Sequence, residues 1–321
     1  MSWQPSMDWE AAKKRAKLLS TIRRFFEERD VVEVETPLLS QATVTDVHLD
    51  AIQAKYSWSA EGEQQLYLQT SPEFAMKRLL AAGYQSIYQI SKAFRDEAQG
   101  RLHNPEFTML EWYRIGFTME MLMDEVQDLI CLVLGISKTE TLSYQASFIR
   151  YTQLDPLEVK IDDCLTFIRC HGKLEPWLEE VNDLDTLLQF IFCEFVEVNI
   201  GKEIPCFIHS FPASQASLAE ICGNDSRVAL RFECYFKGVE LVNGFYELTD
   251  SKQQKTRFEQ DNSSRNAKGL PSREVDHRFI KALESGLPKC AGVALGIDRL
   301  IMLALEQNTI ANIMTYTIDK A

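Results

Sequence analysis

Two strand-like runs, Ser86–Arg95 and Phe107–Arg114, enclose a polar stretch broken by Gly100 and Pro105. Runs that return after a polar loop pair antiparallel. A second pair follows. Arg231–Phe236 and Val239–Phe245 flank Lys237-Gly238, which suits a two-residue hairpin turn. Antiparallel strands set among helical segments predict an α+β chain. The glycines spell neither GxGxxG nor GxxxxGK[ST], so dinucleotide-fold and P-loop architectures are poor fits.

The first helix is predicted over about Asp8 to Glu28. Trp9, Ala12, Ala16, Leu19, Ile22 and Phe26 recur at helical spacing on one face, with Lys13, Lys14 and Lys17 mostly off it. Val31 to Pro37 alternates as a short strand that the proline ends. Ser71-Pro72-Glu73 opens a second helix, with serine at the N-cap, proline in the first turn and glutamate on the positive helix end. From Thr118 to Phe195 the chain is mainly helical. Met119, Leu122, Met123, Val126, Leu129, Ile130 and Val133 keep the period, and Leu184, Leu187, Leu188, Ile191 and Phe195 repeat it. This stretch carries no chemistry and reads as packing or as a surface for a partner. Ala291–Ile297 reads as a buried strand running into a helix that Asp298 caps.

The chain of 321 residues has room for one large domain or a core with an inserted unit. Its 34 basic residues against 47 acidic ones leave a net charge of −13, which disfavours a broad surface for a long polyanion. A nucleotide pocket needs only a few donors and stays open. The eight cysteines form no CxxC pair and read as reduced thiols. No run of about 18 apolar residues occurs, and Met1 to Asp8 is polar without the apolar core of a signal peptide. A cytoplasmic location is expected.

Three clusters carry chemistry. Arg95 and Glu97 share one face at the end of a strand. An arginine fork suits a phosphate and a carboxylate suits an amine, or the two make an exposed ion pair. On the hairpin, Glu233 and Glu240 fall diagonally on one face. They would flank a magnesium ion on ATP phosphates, or lie on a solvated sheet face. Glu247 should then point the other way, unless Asn243-Gly244 forms a bulge. Third, Gly292-Val293-Ala294-Leu295-Gly296-Ile297-Asp298-Arg299 passes from strand to helix. A positive helix end beside an arginine favours phosphate, or the segment is a structural turn.

Together these segments resemble the three signature motifs of class II aminoacyl-tRNA synthetases. The helix and strand ending at Pro37 resemble motif 1, a dimer element. Phe94-Arg95-Asp96-Glu97 with the string His103 to Tyr113 resembles motif 2, and Gly296-Ile297-Asp298-Arg299-Leu300 resembles motif 3. The string His103 to Tyr113, and Val239 to Asp250, are most similar to lysyl-tRNA synthetases. The resemblance covers roughly residues 9–115 and 205–305. It implies an antiparallel sheet flanked by helices, in a single catalytic domain over residues 1–321, with a helical insert at about 117–205.

The resemblance also implies roles. Arg95 and Arg299 would be catalytic, Arg95 on the α-phosphate and the substrate carboxylate, Arg299 near the γ-phosphate. The ATP site would add Asp96, Glu97, His103, Asn104, Phe107, Glu240, Leu241 and Gly296, with Phe107 stacked on adenine. Glu233 and Glu240 would hold magnesium. Ser71, Pro72, Glu73, Tyr113, Asn243, Glu247 and Ala294 would line the amino-acid pocket. Buried carboxylates there would pair a lysine-type ammonium.

Two departures from lysyl-tRNA synthetases stand out. Motif 1 begins within the first few dozen residues, which leaves no room for the N-terminal barrel that reads the anticodon, so ordinary tRNA charging is not expected. Ala294 stands where synthetases have glycine, and Ser71 where they usually have alanine. One added methyl or hydroxyl shifts preference by roughly 1–3 kcal/mol in a tight pocket. A barrel-less chain with these changes resembles the lysyl-synthetase paralogues that modify elongation factor P. That resemblance implies ATP and Mg2+, (R)-β-lysine as the amino acid, a lysine of elongation factor P as acceptor, and a homodimer.

Overall fold

The computed structural model describes residues 3–59 and 62–321; Met1 and Ser2 of the polar N-terminal stretch lie outside them. In chain order the elements are α1 (Trp9–Glu27), β1 (Val32–Glu33), β2 (Leu39–Ser40), β3 (Gln53–Ser59), β4 (Gly62–Leu68), α2 (Glu73–Ala81), β5 (Ile87–Phe94), β6 (Glu106–Ile115) and α3 (Met119–Leu134). Next come β7 (Glu140–Ser143), α4 (Tyr144–Thr152), α5 (Ile161–Cys170), α6 (Leu184–Ile191), β8 (Cys206–His209), β9 (Arg231–Phe236) and β10 (Val239–Tyr246). The last are α7 (Ser251–Ala267), α8 (His277–Gly286), β11 (Cys290–Gly296) and α9 (Ile297–Ala304). They form two compact units, one of Met1–Gly135 with Glu247–Ala321, the other of Ile136–Tyr246.

In the first unit β5 and β6 pair antiparallel along their lengths, as the returning runs predict. β11 adds antiparallel to β6, and β1 adds parallel to β5. A separate antiparallel sheet has the order β2-β4-β3. α3 and α9 lie against β11, and α9 also against β6. Phe26 fastens α1 to this layer. Its ring stacks on Tyr88 at 4.4 Å and meets Trp112 edge-on at 5.3 Å. α2 docks on α8 through Phe74 and Phe279, stacked at 4.5 Å.

Four local expectations need correction. Trp9 is 74% exposed. α1 buries only Ile22, Phe25 and Phe26 at its C-terminal end, so its apolar stripe is shorter than the sequence period suggests. The strand expected over Val31–Pro37 is limited to the two pairs that β1 makes with β5. Pro72, not Ser71, occupies the N-cap of α2, because Ser71 reaches the Glu73 amide from one residue further out. Asp298 does not cap α9. Gly296 takes that position, and Asp298 is buried in an ion pair.

In the second unit the strands run β10-β9-β8-β7. The first two pairings are antiparallel and the last is parallel. Lys237 and Gly238 have φ of 51° and 68°, the paired left-handed geometry of a tight hairpin turn. Tyr144, Phe148, Phe192 and Phe211 centre the core, with Tyr144 stacked on Phe192 at 5.3 Å. Of the stretch at about 117–205, α3 belongs to the first unit and α4 to α6 to the second. Among the described residues none of the eight cysteines forms a disulfide. No helix among the described residues is long and apolar enough to cross a membrane.

Candidate active site

The first unit buries a cluster of charge. α2 presents Glu73 and, one helical turn on, Lys77. The Lys77 ammonium is 1% exposed and lies 2.5 Å from both Glu73 and Glu247. Burial opposes this charge most strongly, but the two carboxylates outweigh it and hold the ammonium protonated. Glu111 projects from β6. It accepts the Ser71 hydroxyl at 2.7 Å and the Tyr113 hydroxyl at 2.6 Å. Burial, and then the charge of Glu73, push the Glu111 carboxyl up to about 7. Burial pushes Glu247 up to about 8, against the pull of Lys77. Glu247 Oε2 faces Lys77, and its buried Oε1 has no partner.

β11 closes this pocket. Gly292 pairs with Tyr113 and Ala294 with Glu111. Directly paired residues share a sheet face, so the Ala294 methyl stands beside Glu111. A Cβ at Gly292 would overlap the Tyr113 ring and a Glu247 oxygen. Of the expected pocket residues, Ser71, Pro72, Glu73, Tyr113, Glu247 and Ala294 thus gather in one unit. Both departures, Ser71 and Ala294, meet at Glu111.

The motif 2 and motif 3 residues form a second group in the same unit. The Arg95 guanidinium carbon lies 5.1 Å from the Phe107 ring centroid. The Arg95 amide bonds to the Pro105 carbonyl at 2.9 Å, and the Asp96 amide to the Asp50 carbonyl at 2.8 Å. The Glu97 amide turns back onto the Arg95 carbonyl at 3.0 Å. Arg299 donates to His103 Nε2 at 3.0 Å and to the Leu102 carbonyl at 3.3 Å. Burial first, and then the Arg299 charge, lower the His103 pKa, so its ring is a neutral acceptor. Gly296 takes the N-cap of α9 next to Arg299, where even an added Cβ would meet that side chain only at ordinary contact distance. Asn104 is buried, and its carboxamide is spent within the protein. It donates to the Glu106 carbonyl at 2.6 Å and accepts the Ile318 amide at 3.0 Å.

The hairpin residues lie in the second unit. Glu240 pairs with Tyr235 and Asn243 with Glu233, and the register shifts between Glu240 and Val242. The bulge is therefore at Leu241, not at Asn243-Gly244, and Leu241 is buried. This shift puts Glu240, Tyr235, Glu233 and Asn243 on one face. Glu233 already accepts from Arg231 and from the Tyr235 hydroxyl. Arg231 also reaches Asn243 at 3.3 Å and lies over Phe211 at 4.5 Å. Each carboxylate oxygen keeps a second lone pair. Glu240 with Glu233 therefore still fits a magnesium ion that arrives on ATP phosphates.

Lys77 and Glu111 were not among the residues expected in the site. Glu111 is the lone acid in the apolar run Met109–Tyr113, and Lys77 follows Glu73 at helical spacing. Those were the available signals.

The sequence matches class II tRNA synthetases (D, K and N) over residues 4–320. It is 53% identical over 320 residues to the elongation factor P–(R)-β-lysine ligase of Proteus mirabilis (strain HI4320), spanning 99% of this chain and 98% of that protein. With three motif segments in family order and a mainly antiparallel sheet flanked by helices, the chain belongs to the class II tRNA synthetases (D, K and N).

Proposed function

We propose that this enzyme is an ATP-dependent, AMP-forming ligase that activates (R)-β-lysine and transfers it to the ε-amine of a lysine on elongation factor P. The observation that carries the reading is the group of buried Glu111 and Glu247 with partly buried Glu73, set around one ammonium. Such a pocket favours an amino acid with basic amines. The name and the near full-length match of the P. mirabilis ligase support the acceptor and the β-isomer.

In the first step a carboxylate oxygen of the amino acid attacks the α-phosphorus of ATP. The bond from that phosphorus to the β-phosphate oxygen breaks and pyrophosphate leaves. Arg95 holds the α-phosphate and the substrate carboxylate, and Arg299 steadies the polyphosphate. Phe107 offers the aromatic face for adenine. Asp96, Glu97, His103 and Gly296 complete the nucleotide site of the first unit in this reading, while Asn104 supports its loop. Magnesium brought with ATP would be held by Glu240 and Glu233, where it neutralises phosphate charge. Positioning and charge stabilisation carry the rate. In the second step the neutral ε-amine attacks the adenylate carbonyl carbon. An amide forms, AMP leaves and one proton is lost.

A homodimer through the motif 1 segment belongs to this reading. Val32 and Leu39 expose apolar side chains there, 60% and 46% respectively. A monomer at micromolar concentration by light scattering would count against it. The direct test of function is ATP–pyrophosphate exchange with (R)-β-lysine, L-lysine or no amino acid, followed by transfer to elongation factor P. Strong exchange with the β-isomer and acylation of the factor are expected. Exchange with L-lysine alone points to a different lysylating enzyme, and no exchange at all overturns the reading.

A further inference from the structure

The pocket contains a cation of its own. Lys77 is almost fully buried, and it sits between two of the carboxylates a substrate amine would seek. The groups facing it can be counted element by element. α2 brings Glu73 and Lys77, and β6 brings Glu111 and Tyr113. β11 brings Cys290, whose carbonyl accepts the Glu247 amide at 3.0 Å. Burial raises the pKa of both the Tyr113 hydroxyl and the Cys290 thiol, so neither adds charge. Three carboxylates then face one ammonium.

We propose that Lys77 is a specificity-determining residue, a built-in ammonium that leaves Glu73, Glu111 and Glu247 short by two positive charges, which the two amines of a diamino acid supply. The inference rests on the amino-acid-activating function above and deepens it. A buried charge without a partner is costly, so the pocket rejects an amino acid with one amine. Glu247 Oε1, which has no partner while Oε2 faces Lys77, and the remaining lone pairs of Glu111 leave both carboxylates able to take a donor.

A second consequence concerns protons. Without substrate the pocket relieves its deficit by holding protons on Glu111 and Glu247, whose carboxyls are pushed into the neutral range. Entry of two ammonium groups expels them. Binding therefore releases protons at neutral pH, and affinity rises with pH until both carboxylates are already ionised in the free enzyme.

The test is calorimetric titration of the whole chain with (R)-β-lysine in PIPES, HEPES and Tris. Its dependence on buffer ionisation enthalpy counts protons. Release of roughly one proton per amino acid at pH 7, fading by about pH 9, is expected from this linkage. 3-Aminohexanoic acid, which lacks the terminal amine, should bind at least tenfold more weakly and release fewer protons. Lys77→Met should weaken binding tenfold or more. Adding Glu73→Gln to Lys77→Met restores a deficit of two and should recover part of that loss, whereas a purely structural lysine predicts a further loss. Binding of the diamino acid without proton release, or wild-type affinity in Lys77→Met, overturns the inference while leaving the activating function intact. Absence of both binding and exchange overturns the two together.

Discussion

The Arg15 guanidinium lies 2.8 Å from the Asp298 carboxylate, and both side chains are largely buried. The pair ties α1 to the first turn of α9, directly beside Arg299. Asp298 also accepts the Thr108 amide at 2.6 Å, and Arg15 donates to the Thr108 hydroxyl at 3.0 Å. Thr108 follows Phe107. One ion pair thus positions an aromatic and an arginine assigned to ATP. Asp298→Asn leaves the Arg15 charge buried, and breaking such a pair costs about 3–5 kcal/mol. The urea midpoint should fall by a corresponding amount, and KM for ATP should rise in pyrophosphate exchange. Unchanged KM would restrict the pair to stability.

Arg95→Ala should abolish adenylate formation. Removing one donor aimed at developing charge costs about 100- to 1,000-fold in rate. The guanidinium also covers Phe107, so ATP affinity should fall as well. Exchange at the wild-type rate would overturn the role given to Arg95.

The ligand-free enzyme should lose stability as pH rises from about 5 to 8. Glu111 and Glu247 have native values near 7 and 8, above the ordinary carboxyl value of 4.5. Between those limits the native state binds more protons than the unfolded chain, so stability falls with increasing pH. A loss on the order of a few kcal/mol is expected, given 1.36 kcal/mol per unit. Melting curves across pH 5–9 measure it. Glu111→Gln should remove part of the slope, and saturating diamino acid should flatten it.

Much of the site was legible because motif 2 and the hairpin are local. Strand, loop and returning strand lie in one stretch of sequence, and Lys237-Gly238 dictates its own turn. The rest depended on contacts and strand register that only the folded chain sets. Asp298 reads as a helix cap until Arg15 arrives from α1. Glu233 reads as a free metal ligand, although Arg231 and Tyr235 stand two residues either side on the same strand face. Lys77 stays outside the expected site because nothing nearby in sequence announces Glu247. A single-residue bulge at Leu241 also has no local signature, and it decides which face Asn243 shares.

Ala294→Gly should raise activation of L-lysine relative to the β-isomer. The methyl stands beside Glu111 through the β6–β11 register. Removing one methyl from a tight pocket is worth about 10- to 200-fold in relative kcat/KM. An unchanged ratio in pyrophosphate exchange would sink the pocket argument.

Gly292→Ala probes the same wall from the opposite direction. The added Cβ would overlap the Tyr113 ring and a Glu247 carboxylate oxygen, both of which are buried, so one of them must shift. Overpacking of this kind costs about 1–3 kcal/mol in stability. The larger effect should fall on the amino acid, because Glu247 must turn away from Lys77 to relieve the clash. KM for the diamino acid should rise at least tenfold while KM for ATP stays near wild type, since Arg95, Phe107 and Arg299 do not touch Gly292. Equal losses for both substrates would show that the glycine holds the sheet rather than the pocket, and wild-type kinetics would mean that β11 does not close on Glu247 as described.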